Sequence, residues 1–480
     1  SPTSGTACNL DAYDESIMEP LQIGNERKLV LAFLAKEIER IWSGFDQARD
    51  EEPEISEDLC ALLQESLPHS PSEFIKTIED SINVLESSIA QSRPRFLAYI
   101  GSSGLEVGAI GDFLASSYDI NQAIDSRAST MLEQQTAKWV GEFIGYPYAN
   151  GYFTSGGMVS NLTALAAARS FAIPEARKAG INRKVGIYAS VDSHYSISRA
   201  VEVLGIGTNA LRLIDVDEYK RMQVDSLAKR IQQDLDVGVT PIAIVATAGT
   251  TLTGAVDPLL KIAKIAKESG VWLHVDGAYG VPAAGTYKST LFSGIEYADS
   301  ITIDAHKWLF VPKSCSLLLM KNQANLANTF SHEEAYMPHF ANHYNPVDFT
   351  LEYSRPLRAL KLWIALKTHG GNAFRRAIEK NIELAQLTYR IASQHENFRT
   401  LPFPPDLSIV PIQFQDSRHP DSSALNDRLC RAILADGRFF ISTAQIDGET
   451  WLRPCFTNFR TSEHDVTALF EVVEELSQTL

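Results

Sequence analysis

The chain has 480 residues, of which 45% are hydrophobic and 21% charged, and its formal net charge is −16. That length suits two or three structural units at ~150 residues each, and the composition is that of a globular enzyme. The acidic balance argues against nucleic acid or an anionic membrane surface as the main partner. No run approaches ~18 consecutive apolar residues, so no membrane span is expected. Residues 1–9 are small and polar, without the pattern of a secretory signal. Cys8, Cys60, Cys315, Cys430 and Cys455 lack metal-ligand spacing. They suggest free thiols in a reducing cytoplasm and no metal centre.

Residues 10–90 read as a helical arm. Leu29, Val30, Phe33, Leu34, Ile38 and Ile41 recur at helical spacing, and a second helical pattern runs over 71–90. Such an arm cannot bury its apolar stripe alone. It needs the body of the protein or a second subunit. Residues 93–100 are aromatic and broken by proline, a loop leading into a helix. They form either a connector or a pocket wall, with Phe96, Tyr99 and Ile100 toward a ligand.

A helix is expected over 129–144. Ser155, Gly156, Gly157 and Met158 then run into an Ala-rich helix. A helix start of small residues exposes backbone N–H groups and suits a phosphate. From 185 to 320 strands alternate with helices: strands over 185–191, 211–216, 242–246, 271–275, 300–303 and 316–320. This spacing implies a mostly parallel sheet covered on both faces. His194, Thr247, Asp276 and Lys307 each lie at or just past a strand's carboxyl end, the edge where open α/β sheets bind ligands. Singly, each has a bland explanation as a cap, turn or surface residue. Their joint placement does not.

Lys307 ends the stretch Ser300-Ile-Thr-Ile-Asp-Ala-His-Lys, between two apolar runs. An ammonium buried there must be neutralised, paired or used covalently. Residues 322–357 are irregular, with His332, Tyr336, His339, His343, Tyr344 and Tyr353, and read as a lid or a connector. Beyond 357, helices over 357–370 and 374–394 precede strands over 409–414, 439–443 and 451–456, a helix over 422–435 and a last helix from 462. This is a small α+β unit with a mixed or antiparallel sheet.

Five motifs occur in one order: Thr-Ser-Gly-Gly at 154–157, Ala-Thr-Ala-Gly-Thr-Thr at 246–251, His-Val-Asp-Gly-Ala-Tyr at 274–279, Asp-Ala-His-Lys-Trp at 304–308, and Leu-Arg-Pro with Asn-Phe-Arg-Thr within 452–461. With them the chain resembles the group II amino acid decarboxylases that use pyridoxal 5′-phosphate (PLP), relatives of the aromatic amino acid, glutamate and diaminobutyrate decarboxylases. The resemblance covers roughly residues 65–475. It implies an α/β protein of PLP fold type I, aspartate aminotransferase-like. The parts would be an N-terminal helical segment for dimerisation (1–90), a large PLP-binding domain (91–356) and a small C-terminal domain (357–480).

The resemblance also implies roles. Lys307 would hold PLP as a Schiff base, Asp276 would keep its ring nitrogen protonated, and His194 and Ala278 would flank the ring. Thr247 would bond near the phenolic oxygen. Ser155, Gly156, Gly157 and Met158, helped by Ser300 and His306, would take the phosphate. Tyr336, on a mobile loop, would favour protonation and hence simple decarboxylation over oxidative deamination to an aldehyde. Met158 stands where many relatives carry a hydroxyl, so backbone N–H groups carry more of the phosphate. Asp304 stands where some relatives have Asn and others Asp. Arg127 occupies a place where many have Pro, and forms either a salt bridge or a contact to an acidic substrate. The expected assembly is a homodimer with the site at its interface, acting on an aromatic or large apolar L-amino acid. Another lyase, an aldehyde synthase or an aminotransferase on the same scaffold is the alternative.

Overall fold

A computed structural model describes residues 21–49, 54–148, 150–332 and 344–480. Two compact units divide them: one of residues 21–45 and 54–89, the other of 46–49 and the described residues from Ala90 to Leu480. The first unit holds helices α1 (Arg27–Phe45), α2 (Glu57–Leu62) and α3 (Phe74–Glu86). The Ser56 hydroxyl caps α2, accepting from the Leu59 N–H at 3.2 Å. Leu29, Leu31, Leu85 and Ile89 of this unit remain exposed.

The second unit opens with α4 (Glu106–Tyr118), α5 (Ala128–Ile144), β1 (Asn150–Thr154), α6 (Gly157–Ala172) and the short α7 (Ala176–Ala179). Strand and helix then alternate through β2 (Val185–Ser190), α8 (Tyr195–Val203), β3 (Leu211–Ile214), α9 (Val224–Asp236), β4 (Thr240–Thr247), α10 (Leu259–Ser269) and β5 (Trp272–Asp276). Next come β6 (Ser300–Asp304), α11 (Ala305–Trp308) and β7 (Ser316–Met320). These strands form one seven-stranded sheet in the order β1-β7-β6-β5-β4-β2-β3, in which only β7 runs against the rest. β2, β5, β6 and β7 are buried at every position. Such continuously apolar strands belong to a sheet covered on both faces, as the sequence predicts. The register pairs Thr247 with Asp276 and Asp276 with Thr302, so β4 and β5 end level while β6 runs on to Asp304.

The rest of the unit contains α12 (Ala324–Phe330), α13 (Ala359–His369), α14 (Gly371–Gln394), β8 (Phe398–Thr400), β9 (Ile412–Phe414), α15 (Ser422–Asp436), β10 (Ser442–Ile446), β11 (Glu449–Arg453) and α16 (Glu463–Ser477). Its four strands make an antiparallel sheet, β10-β11-β9-β8. The predicted strand over 439–443 is shifted: β10 starts at Ser442. Asp447 and Gly448, both at positive φ, close a tight β10–β11 hairpin and fix its register. Phe440 is taken by another partner, exchanging backbone bonds with residues 95–97: Leu97 N–H to Phe440 O at 2.7 Å and Phe440 N–H to Arg95 O at 3.1 Å. Leu97 therefore packs in the core of the C-terminal elements, with Leu452 and Phe456. β1 was unforeseen, because its short run reads as the lead-in to the glycine pair. Among the described residues, no helix is long and apolar enough to cross a membrane.

Candidate active site

The cleft at the carboxyl edge of the large sheet is built by strand ends and two helix starts. Thr247 ends β4, Asp276 ends β5, and Lys307 stands in the single turn of α11 directly after β6. All three line the cleft, together with Ala278, His194, Gly157 and Met158. The parallel register of β4, β5 and β6 brings these distant residues together.

Asp276 is buried. It accepts hydrogen bonds from the Asn161 side-chain amide at 3.2 Å and from the Ala278 N–H at 3.2 Å. Burial pushes its carboxyl above the usual carboxylate range, while Lys307 and the Ala278 N–H pull the other way. The Lys307 ammonium makes its ion pair with Asp304, at 3.1 Å, rather than with Asp276. Burial works against the charge of Asp304, but Lys307 and His306 together hold its carboxyl below the ordinary value. His194 caps α8, its Nδ1 accepting from the Ser196 N–H at 3.1 Å. Burial lowers the proton affinity of its ring, with Asp276 opposing.

At the other end of the cleft α6 begins. Gly156 is its cap residue and provides no side-chain hydrogen bond, so the first-turn N–H groups face outward uncapped. Gly157 lies hard against the Asp304 carboxylate: a Cβ there would sit 2.8 Å from Oδ2. The Ser155 carbonyl accepts from the Ser314 hydroxyl, which fixes the loop.

Several expected residues lie elsewhere. Ser300 starts β6, at the opposite end of the strand from Lys307; its hydroxyl is bonded to Trp272 and His274, and it does not reach the cleft. Phe96 is turned away as well, its ring stacked on Phe440 at 5.0 Å. Tyr99 is 62% exposed and outside the cleft of this single chain, so of the three expected wall residues only Ile100 lines it. His306 is buried beside the cleft, its Nε2 3.8 Å from the cleft-lining Asp304 carboxylate and its Nδ1 accepting from the Cys315 N–H at 3.0 Å. Burial drives its pKa down to about 4. Arg127 is exposed at the start of α5, away from the cleft. Tyr336, His339 and His343 lie outside the described residues.

Sequence reasoning missed Asn161, Tyr279 and the pairing role of Asp304. Tyr279 lines the cleft, stacks on Trp308 at 5.0 Å, and bonds the Ser408 hydroxyl at 2.7 Å. Arg453, from the Leu-Arg-Pro motif, donates to the backbone carbonyls of Thr251 and Tyr99 and so holds the lip of the cleft. Asn161 was detectable in principle: it is a polar residue one turn inside an otherwise Ala-rich buried helix.

Two buried polar atoms in the cleft, the Thr247 hydroxyl and Asp304 Oδ1, have no hydrogen-bond partner among the described residues. A bound ligand or an ordered water would satisfy such groups. An amine, a buried carboxylate, a free hydroxyl and an uncapped helix start are what a phosphorylated pyridine aldehyde would engage, so the residues fit PLP.

Comparison with known proteins agrees. Residues 56–415 match the family described as the pyridoxal-dependent decarboxylase conserved domain. The chain is 32% identical over 440 residues to an aromatic-L-amino-acid decarboxylase of Bacillus atrophaeus, covering 88% of this chain and 89% of that one. It is 28% identical over 441 residues to a phenylacetaldehyde synthase of Arabidopsis thaliana, covering 87% and 89%. A crystal structure of Oryza sativa TDC with PLP and tryptamine superposes with a TM-score of 0.89 at 21% identity, covering 96% of this chain and 99% of that one. The architecture is PLP fold type I, the cofactor is PLP, and the chain belongs to the group II pyridoxal-dependent decarboxylase family of carboxy-lyases.

Proposed function

We propose that the protein removes the α-carboxylate of an L-amino acid with an aromatic or large apolar side chain, releasing the amine and CO2. The reading is supported above all by the meeting of an amine and a backbone-held carboxylate, Lys307 and Asp276, on neighbouring strand ends of one cleft. PLP, when bound, supplies an electron sink for the bond broken at Cα.

The chain's own residues would do the rest. Lys307 would anchor the cofactor, yield to the substrate's amine, and later displace the product. Asp276, fixed by Asn161 and the Ala278 N–H, would keep the ring nitrogen charged. His194, set by its cap bond to Ser196, would cover one face of the ring, and Ala278 would touch the other. Thr247 would spend its free hydroxyl on the phenolic oxygen. Gly156, Gly157 and Met158, with the Ser155 loop, would present backbone N–H groups to the phosphate. Tyr336 would favour proton delivery to Cα. Ile100 and Met158 give the cleft an apolar wall, which favours a large apolar substrate.

The 28% identity to a phenylacetaldehyde synthase keeps one other outcome in view, oxidative deamination to an aldehyde. A screen of aromatic, aliphatic, acidic and diamino L-amino acids separates the two. The expected result is CO2 and amine in equal amounts from aromatic or large apolar substrates, without oxygen uptake. Aldehyde formation with oxygen consumption would contradict the reaction, and turnover of acidic or diamino acids alone would contradict the substrate class. We further propose a cytoplasmic homodimer with the cleft at the interface, the exposed Leu29, Leu31, Leu85 and Ile89 of the helical arm being covered by the second copy.

A further inference from the structure

Beneath α6, the polar positions of β5 and β6 form a buried chain of hydrogen bonds that ends on Asp276. Trp272, His274 and Asp276 alternate along β5, so their side chains leave the same face of the sheet. Ser300 lies beside His274 on β6. The Trp272 indole N–H donates to the Ser300 hydroxyl at 2.9 Å. That hydroxyl is 2.8 Å from His274 Nδ1. His274 Nε2 is 2.8 Å from Asn161 Oδ1. The Asn161 amide donates onward to Asp276 Oδ2 at 3.2 Å and to the Ser196 hydroxyl at 3.0 Å. His274 and Ser300 are wholly buried, and Asn161 nearly so.

With Asp276 ionised and His274 neutral, one set of directions satisfies every bond. An ionised carboxylate only accepts, so Asn161 must turn its NH2 group to Asp276. Its carbonyl oxygen therefore faces His274 and needs a donor, so Nε2 carries the ring hydrogen. Burial keeps this imidazole neutral, driving its pKa down to about 3. Nδ1 is then bare and accepts from the Ser300 O–H, while the Ser300 oxygen takes the indole N–H. All four donors point one way, toward Asp276.

We propose that Ser300, His274 and Asn161 are positioning residues, a one-way relay that orients the Asp276 carboxylate, keeps it ionised, and thereby holds the proton on the cofactor's ring nitrogen. This rests on the reading of Asp276 given above. It also gives Ser300 a place at the far end of the relay instead of at the phosphate.

Two measurements test it. The first uses the wild-type apoprotein with 15N-labelled histidine, the His274 resonance being assigned by its loss in His274→Gln. The neutral ring protonated at Nε2 is expected. A ring protonated at Nδ1, or at both nitrogens, overturns the relay without reference to the cofactor. The second uses holoenzyme loaded with PLP labelled with 15N in the ring. His274→Phe keeps the volume but removes the ring's hydrogen bonds, including the longer one between Nε2 and the Thr302 hydroxyl at 3.4 Å, whereas His274→Gln restores an N–H toward Asn161. The phenylalanine variant should lose ring-nitrogen protonation and bind PLP about tenfold more weakly, the scale of one charge-assisted hydrogen bond. The glutamine variant should recover most of both. A ring nitrogen protonated in wild type and equally protonated in His274→Phe overturns the relay alone. An unprotonated nitrogen in wild type overturns the reading of Asp276 itself.

Discussion

His306, beside the cleft, is buried neutral, and this fixes the sign of a pH effect. His306 has its pKa lowered to about 4 against 6.5 for a free side chain. As pH falls below ~6.5 the unfolded chain takes up a proton that the folded chain refuses until about pH 4. Stability from this residue is therefore full above ~6.5, lost progressively down to about 4, and amounts to about 3 kcal/mol at most. Buried carboxylates such as Asp257, raised to about 6 by burial, act in the opposite direction, so the net curve of the wild type is not diagnostic. The difference between wild type and His306→Gln is. Urea midpoints at pH 7 and pH 5 should fall more for wild type than for the variant; equal falls would contradict the burial argument. The same residue scale shows where sequence reading succeeds. The convergence of Lys307, Asp276, His194 and Thr247 on one cleft was legible because each stands at or just past a strand end. Ser300 and Phe96 misled because polarity or aromaticity near a motif does not say which end of a strand, or which face of a loop, a side chain occupies.

At the scale of elements, the cleft depends on two turns meeting backbone to backbone. Gly280, after β5, lies so close to the turn after β4 that a Cβ would sit 2.2 Å from the Ala248 carbonyl oxygen. Gly249, at φ +103°, faces it from the other side, 2.9 Å from the Gly280 Cα on the same construction. Neither contact can be relieved by a side-chain rotation. Gly280→Ala should therefore destabilise the protein by about 1–3 kcal/mol or more and spread Thr247 from Asp276. Denaturant unfolding measures the first effect and PLP affinity the second; a variant unchanged in both would show that the turns are looser than described. The order of strands and helices in the large sheet was legible because buried parallel strands are short, apolar and regularly spaced. Strands of the smaller sheet were less so. β8 has three residues, and the register of β10 is set by the Asp447–Gly448 turn and by the capture of Phe440, a contact more than three hundred residues away in sequence.

At the scale of the molecule, the proposed second copy would have exposed apolar residues to cover. Ile110, Phe113 and Leu114 of α4 are exposed apolar residues, as are those of the arm, and Tyr99 at the lip is also open. Light scattering should give twice the chain mass, and removal of residues 1–89 should yield monomer with little turnover. A wild-type monomer of full activity would contradict the proposed assembly. Periodicity alone shows that a stripe needs covering but not what covers it; the homodimer is an expectation from the family resemblance. The central claim is narrower: one amine carries the cofactor. Borohydride reduction of the holoenzyme followed by peptide mass mapping tests it most directly. The account predicts the reduced pyridoxyl group on Lys307 and its absence, with the yellow colour, from Lys307→Ala. A label on another lysine, or none on a catalytically active protein, would contradict it.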